Sequence, residues 1–555
     1  QKRVWIDSQT EEEILRGIRE AKDLSYYDHL SDAAYLRAQE DYLMGINFSR
    51  VLTLKFGDTL KQTLKKDRSV LSVGRVMTCV LGMVVRRERE IRNFKETPFY
   101  RVLAHLNGEN GLAFDAEWKA VEGSRYFGSP KLYRENGFKE RKDAEELIRF
   151  LSEDPPVVLE VLKKEKKTEN KKPPLLFNLA ELQNECSRRF KKSPDETLAI
   201  VQELYEKKLV TYPRTDARVL SSAVAKEIDR NIKGLGNLSS LAPFVQEIME
   251  KGAYKTIGKS QYTDDRKITD HYAIIPTGQG LGALNSLDDL KRSVYDLICR
   301  RFLSIFYPAA KYERLSLELV RKGEHFFFSE RILKEEGYLK VLGTGAAGGG
   351  SVKKEAGGSS DPENGAEDPP DQELENGKNP ALTAYLDKLK KGDLIPVKAF
   401  EIKEGKTQPP KRYTSGNLIL AMENAGQLIE DEDLRAQIKG SGIGTSATRA
   451  EILKKLNTIH YLKTNKKTQQ VSPELEGELV FDVVDASMKQ LLNPDLTASW
   501  EKGLSGVAEG SISTEEYMEK LSGFVTRRVN AVKGIDNPGA IRAKFREILP
   551  YYKIG

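Results

Sequence analysis

Two runs of alternating apolar and polar residues, 312–320 and 394–402, flank a stretch, 343–380, rich in Gly, Ser, Pro, Asp and Glu and almost free of large apolar side chains. Period-two alternation turns one face of each run to a core and the other to solvent. Both are therefore predicted to be strands of one β-rich domain, joined across a flexible insertion too polar to bury a core of its own. The ends of the chain read as helical, with capping boxes signalled by Thr10 with Glu13 and by Thr448 with Glu451. At 555 residues the chain exceeds a single core and predicts three or four domains.

Between these regions a helix is predicted over 193–208, with Ser193 as N-cap, Pro194 in the first turn, Glu196 completing a capping box, and Leu198, Val201, Leu204 and Tyr205 on one face. It feeds directly into Tyr212-Pro213-Arg214-Thr215-Asp216. Proline pushes the residue before it toward extended geometry, so Tyr212 and Arg214, two apart, tend to the same side. A phenol with an ordinary pKa of about 10 is a poor nucleophile at neutral pH, and a fixed positive charge beside it favours the phenolate. The same cation can stabilise a phosphoryl group under attack. Tyr212 thus reads as a candidate covalent nucleophile toward a phosphodiester, with an ordinary Tyr-Pro turn as the bland alternative.

Net charge is +6, but residues 351–380 hold three lysines against eight acids; that stretch carries −5, which leaves +11 on the remainder, a field suited to phosphate backbones. Cations interleave with aromatics at Arg188-Arg189-Phe190-Lys191-Lys192 and Lys411-Arg412-Tyr413, a mix suited to single-strand contact. Cys79, Cys186 and Cys299 form no Cys-x-x-Cys pair, and no two of the five histidines stand at ligand spacing, so neither zinc nor any other metal site is predicted. Glu430-Asp431-Glu432-Asp433 reads as a solvated connector. No Gly-x-x-x-x-Gly-Lys-Ser/Thr loop occurs, which disfavours an ATP-driven motor. No long apolar run or signal-peptide pattern is present, so a soluble, cytoplasmic protein without a membrane span is expected.

In order along the chain, Leu71-Ser72-Val73-Gly74-Arg75-Val76, Lys172-Pro173-Pro174-Leu175-Leu176-Phe177-Asn178-Leu179, Thr211-Tyr212-Pro213-Arg214-Thr215-Asp216, Asp270-His271-Tyr272-Ala273-Ile274-Ile275-Pro276-Thr277, Pro409-Pro410-Lys411-Arg412-Tyr413, Gly442-Ile443-Gly444-Thr445-Ser446-Ala447-Thr448-Arg449 and Leu496-Thr497-Ala498-Ser499-Trp500-Glu501 resemble the motifs of type IA DNA topoisomerases, most closely the bacterial topoisomerase III branch. Met77 and Cys79 depart from the family's usual Gln and Pro, Ser446 from a proline, and Ala217 from a small polar residue.

The resemblance implies a multidomain α+β, toroidal type IA topoisomerase core. Its helical base would comprise 1–95 and 415–555, its β-rich arch 96–170 and 308–414, and its helical, winged-helix-like catalytic tyrosine domain 171–307. It implies cleavage and resealing of one DNA strand through a 5′-phosphotyrosyl bond at Tyr212, with Arg214 on the phosphoryl group and His271 at the scissile region. Asp216 is implied to position the site. Gly74 with Arg75, Thr448 with Arg449, and Arg412 are candidate DNA contacts. Glycines and threonines ahead of a helix suit phosphate.

Family members carry a Toprim domain with the Mg²⁺-binding carboxylates ahead of the segment that opens here. Single-stranded DNA is the expected partner, with a Toprim domain in the same precursor or in trans. Mg²⁺ is expected for the family, but its ligands are absent from this chain, so cleavage in isolation is expected to be severely weakened. The alternative is a non-catalytic single-strand-binding gate. Tyrosine recombinases would need a His-x-x-Arg cluster upstream of a C-terminal tyrosine, and relaxases a histidine pair; neither pattern is found.

Overall fold

The structure is a computed structural model that describes residues 1–6, 11–343, 380–429, 432–437, 442–535 and 539–552. Thr10, Glu430, Asp431 and most of the predicted insertion lie outside the described residues. The chain divides into two compact units. One comprises Gln1–Asn93, Leu175–Leu303 and Pro410–Gly555; the other comprises Phe94–Pro174 and Ser304–Pro409.

The second unit is built on strands β1 (Pro98–Asn107), β2 (Ala113–Lys119), β3 (Val158–Lys171), β4 (Ala310–Arg321), β5 (Glu324–Glu335) and β6 (Leu394–Lys406). The two alternating runs of the sequence are β4 and β6. Antiparallel pairing runs β6–β3–β4–β5–β2–β1, and β1 pairs again with β6 from Leu106↔Val397 to Pro98↔Lys406, so the six strands close on themselves. Closure leaves none of them a free edge along its whole length. Alternate residues point inward: Val102, Ala104 and Leu106, then Ala116 and Trp118, then Leu315, Leu317 and Leu319, all buried. The Trp118 indole donates to the buried Glu324 carboxylate at 2.8 Å, which satisfies its one polar atom.

The first unit is helical. Its core is formed by α1 (Asp28–Leu64), α2 (Arg75–Asn93), α3 (Leu179–Phe190), α4 (Pro194–Glu206), α5 (Ser415–Glu423), α6 (Arg449–Thr458), α7 (Pro494–Ala508) and α8 (Thr514–Lys533), among other helices. Met77 and Cys79, two of the family departures, are buried in that core. The capping box at Ser193 and Glu196 is formed. The one predicted at Thr448 is not, because Thr448 Oγ1 is occupied by the turn ahead of the helix, accepting from the Thr445 amide at 2.9 Å.

The tyrosine-bearing segment, assigned from sequence to a domain of its own, belongs to the same compact unit as the two terminal segments. The reason is close packing of α3 on α5. Ser187 and Ser415 hydroxyls meet at 3.2 Å, and a Cβ on Gly416 would lie 2.7 Å from the Asn184 Cα, so only glycine admits the approach. Among the described residues no helix is long and apolar enough to cross a membrane.

Candidate active site

Helix α4 ends where Lys208 turns into the left-handed region (φ 61°), and Leu209–Thr211 leave as an extended run. From 212 to 219 burial alternates: Pro213, Thr215, Ala217 and Val219 are buried, while Tyr212, Arg214, Asp216 and Arg218 are half-exposed. The period-two reading of the Tyr-Pro-Arg segment is thus realised, with phenol, guanidinium and carboxylate on one face.

The segment is stitched to residues 271–277 by two threonines, Thr211 and the buried Thr215. Thr211 Oγ1 donates to the Ala273 carbonyl and accepts from the Ile275 amide, each at 3.0 Å, and Thr215 Oγ1 donates to the His271 carbonyl at 2.7 Å. These bonds bring His271 beside the tyrosine, with ring centroids 4.4 Å apart. Tyr205, on the last turn of α4, also meets Tyr212 edge-on, with ring centroids 5.4 Å apart. Among the described residues, the Tyr212 hydroxyl, the Arg214 guanidinium and the His271 imidazole make no hydrogen bond or ion pair with the protein. Three half-exposed polar groups without protein partners on one face are equipped to receive a ligand.

Asp216 is engaged. Its carboxylate accepts from Arg449 Nη1 at 2.8 Å, and its carbonyl accepts from Asn178 Nδ2 at 3.1 Å. Asn178 is itself the N-cap of α3 and also donates to Glu423 at 2.6 Å.

Three arginines expected to contact DNA are engaged by carboxylates of the protein itself. Arg75 is 5 % exposed and ion-paired to Glu40, Asp41 and Glu501 at 3.0–3.1 Å. Arg449 is 1 % exposed, spent on Asp216 and on the Ile443 carbonyl. Arg412 forks onto both oxygens of Glu88 at 2.8 and 2.9 Å, and its hydrogen bond holds that carboxyl below the usual range. A buried or bidentate-paired guanidinium has few donors left for phosphate. Gly74 opens α2, its amide donating to Thr78 Oγ1. Among the described residues no hydrogen bond, ion pair or ring contact joins Gly74, Arg75 or Arg412 to Tyr212, Arg214 or His271. Thr448 remains exposed at the start of α6.

The family described as DNA topoisomerase matches residues 25–519. The chain belongs to the DNA topoisomerase family. Within it, the chain is type IA and topoisomerase III-like. It is 32 % identical over 536 residues to DNA topoisomerase 3 of Bacillus subtilis and 30 % identical to that of Bacillus licheniformis, covering 96 % of this chain in each case. It spans 65 % and 64 % of the length of those two relatives. The fold is shared with full-length topoisomerase I of Thermotoga maritima, at TM-score 0.62 and 22 % identity over 95 % of this chain and 73 % of that one. This topoisomerase chain holds, among its described residues, no group of three His, Cys, Asp or Glu side chains able to bind a metal ion.

Sequence reasoning passed over Asn178 and Glu423, which pack against the Tyr212 segment. A faint signal exists for the first, an Asn directly ahead of an apolar helix. None marks the second, a glutamate at the end of α5 whose partner Asn178 and neighbours Asp216 and Arg218 lie more than two hundred positions away.

Proposed function

We propose that this chain carries the strand-cleaving tyrosine of an ATP-independent type IA topoisomerase acting on single-stranded DNA. The observation that supports this most is the shared face of Tyr212, Arg214 and His271, free of protein partners and backed by threonine ties. Tyr212 Oη bonds to the scissile phosphorus, and the bond from phosphorus to the 3′ oxygen breaks. The DNA 5′ end is left on the tyrosine and a 3′-hydroxyl on the other end. The phenol loses one proton and the leaving oxygen gains one, so the exchange balances. Its reversal reseals the strand with no nucleotide, after another strand has passed. In this reading Arg214 neutralises the non-bridging oxygens and the His271 ring contacts the same region. No step is assigned to a metal.

Trapping of a labelled oligonucleotide as a covalent adduct tests the reading. With Mg²⁺ this chain alone is expected to trap at least about 100-fold less than when a type IA Toprim domain is added in trans, since lost electrostatic stabilisation costs that much or more. Tyr212→Phe is expected to abolish trapping in both arms. Efficient trapping by the chain alone overturns the weakened-cleavage expectation. Strand binding with no adduct in either arm identifies a non-catalytic single-strand-binding gate instead.

A further inference from the structure

Glu423 ends α5 half-buried against the segment that carries Tyr212. Its backbone cannot shift freely. The Ile443 amide donates to the Met422 carbonyl at 2.9 Å, and Gly442 packs so tightly that a Cβ there would lie 2.3 Å from the Glu423 carbonyl oxygen. The carboxyl accepts from Asn178 Nδ2 at 2.6 Å, and that same amide nitrogen donates to the Asp216 carbonyl. Residue 216 is therefore tied twice to the C-terminal helices: by its carboxylate to Arg449 on α6, and through Asn178 to Glu423 on α5.

We propose that Glu423 is a positioning residue for the tyrosine segment, a tie worked by a proton that decides whether the Arg449–Asp216 pair is left undisturbed or a second carboxylate competes for it. The inference rests on the reading of Tyr212 as nucleophile for its meaning, though not for its test.

The charged groups that face Glu423 come from every element packed on it: Arg449 from α6, and Asp216 and Arg218 from the tyrosine segment. Arg218 in turn pairs with Glu181 of α3 at 2.9 Å. Burial pushes the Glu423 carboxyl up to about 7; Arg449 and Arg218 oppose that shift and Asp216 adds to it. Below that pH the group is neutral, accepts from Asn178, and leaves Arg449 to Asp216. Above it, a second negative charge competes for the same guanidinium and repels Asp216, so the hold on residues 211–218 weakens. Glutamine keeps the acceptor for Asn178 and cannot ionise, so it locks the tie in its neutral arrangement.

The test is amide hydrogen exchange of residues 209–219, expressed as protection factors, which remove the intrinsic pH dependence of exchange. Between pH 6 and pH 8 the protection of this segment is expected to fall about tenfold in the wild-type chain and less than about twofold in Glu423→Gln. Glu423→Ala is expected to be equally flat with pH but less protected throughout, having lost the Asn178 bond. An equal pH-dependent fall in the wild type and either variant overturns the proposal. Exchange needs no cleavage. Failure of Tyr212 to form an adduct would leave this result standing, and an adduct with no pH step would sink the tie alone.

Discussion

Replacing Arg75 by alanine is expected to destabilise the helical unit by about 3–5 kcal/mol, the usual cost of removing one partner from a buried ionic cluster. The guanidinium lies among Glu40, which is fully buried, Asp41 and Glu501. One oxygen of Glu40 has no hydrogen bond and relies on Arg75 alone; the other accepts from Tyr517 of α8 at 2.6 Å. Burial pushes Glu40 up to about 7, with Arg75 pulling it back. The folded chain thus keeps a proton that the unfolded chain releases near pH 4.5. The stability this group contributes is complete below that pH and is lost as pH rises through 7. Without Arg75 the same carboxyl is held still more firmly in its neutral form, so the variant's deficit is expected to be larger at pH 8 than at pH 5. Urea unfolding midpoints at the two pH values measure this. Equal and small losses, with weakened DNA binding, would instead return Arg75 to the role of phosphate contact.

Arg75 also marks where the sequence stops being informative. Local signals carried well: the alternation at 312–320 and 394–402 is realised in β4 and β6, the Ser193 capping box forms, and the proline-held segment presents Tyr212, Arg214 and Asp216 on one face. Each depends on neighbours within a few residues. The pairings of the three motif arginines do not. Arg75 is spent on Glu501, Arg412 on Glu88 and Arg449 on Asp216, partners 426, 324 and 233 positions away. A motif shows that a cation is present. Whether a phosphate or a carboxylate occupies it is decided by which helices the fold brings together, and so is the burial that turns Glu40 and Glu423 into groups titrating near neutrality.

The same distinction applies to the Gly-Ile-Gly-Thr turn, and it yields a second large effect. Glycines ahead of a helix suggest a cradle for phosphate, yet Gly442 is a packing element. Its φ is +65°, and a Cβ would stand 2.2 Å from the Met422 carbonyl oxygen and 2.5 Å from the Glu423 Cα. All of these are backbone atoms that cannot rotate aside. Gly442→Ala therefore combines a left-handed conformation, costing about 1–2 kcal/mol for an L residue, with a clash that only displacement of α5 relieves. A loss of about 3 kcal/mol or more in unfolding free energy is expected. Gly444 provides the internal contrast. It too has positive φ, 67°, but a Cβ there meets only side-chain atoms of Thr448, Arg449 and Ile452 at an ordinary 3.4 Å, so Gly444→Ala is expected to cost only the conformational part. Because the Ile443 carbonyl accepts from Arg449 and the Ile443 amide holds the end of α5, displacing Gly442 also moves both ties on Asp216. Hydrogen exchange at 209–219 is then expected to quicken in Gly442→Ala and to stay near wild type in Gly444→Ala. Equal stability losses in the two variants would show that the turn tolerates a side chain and does not anchor the tyrosine segment.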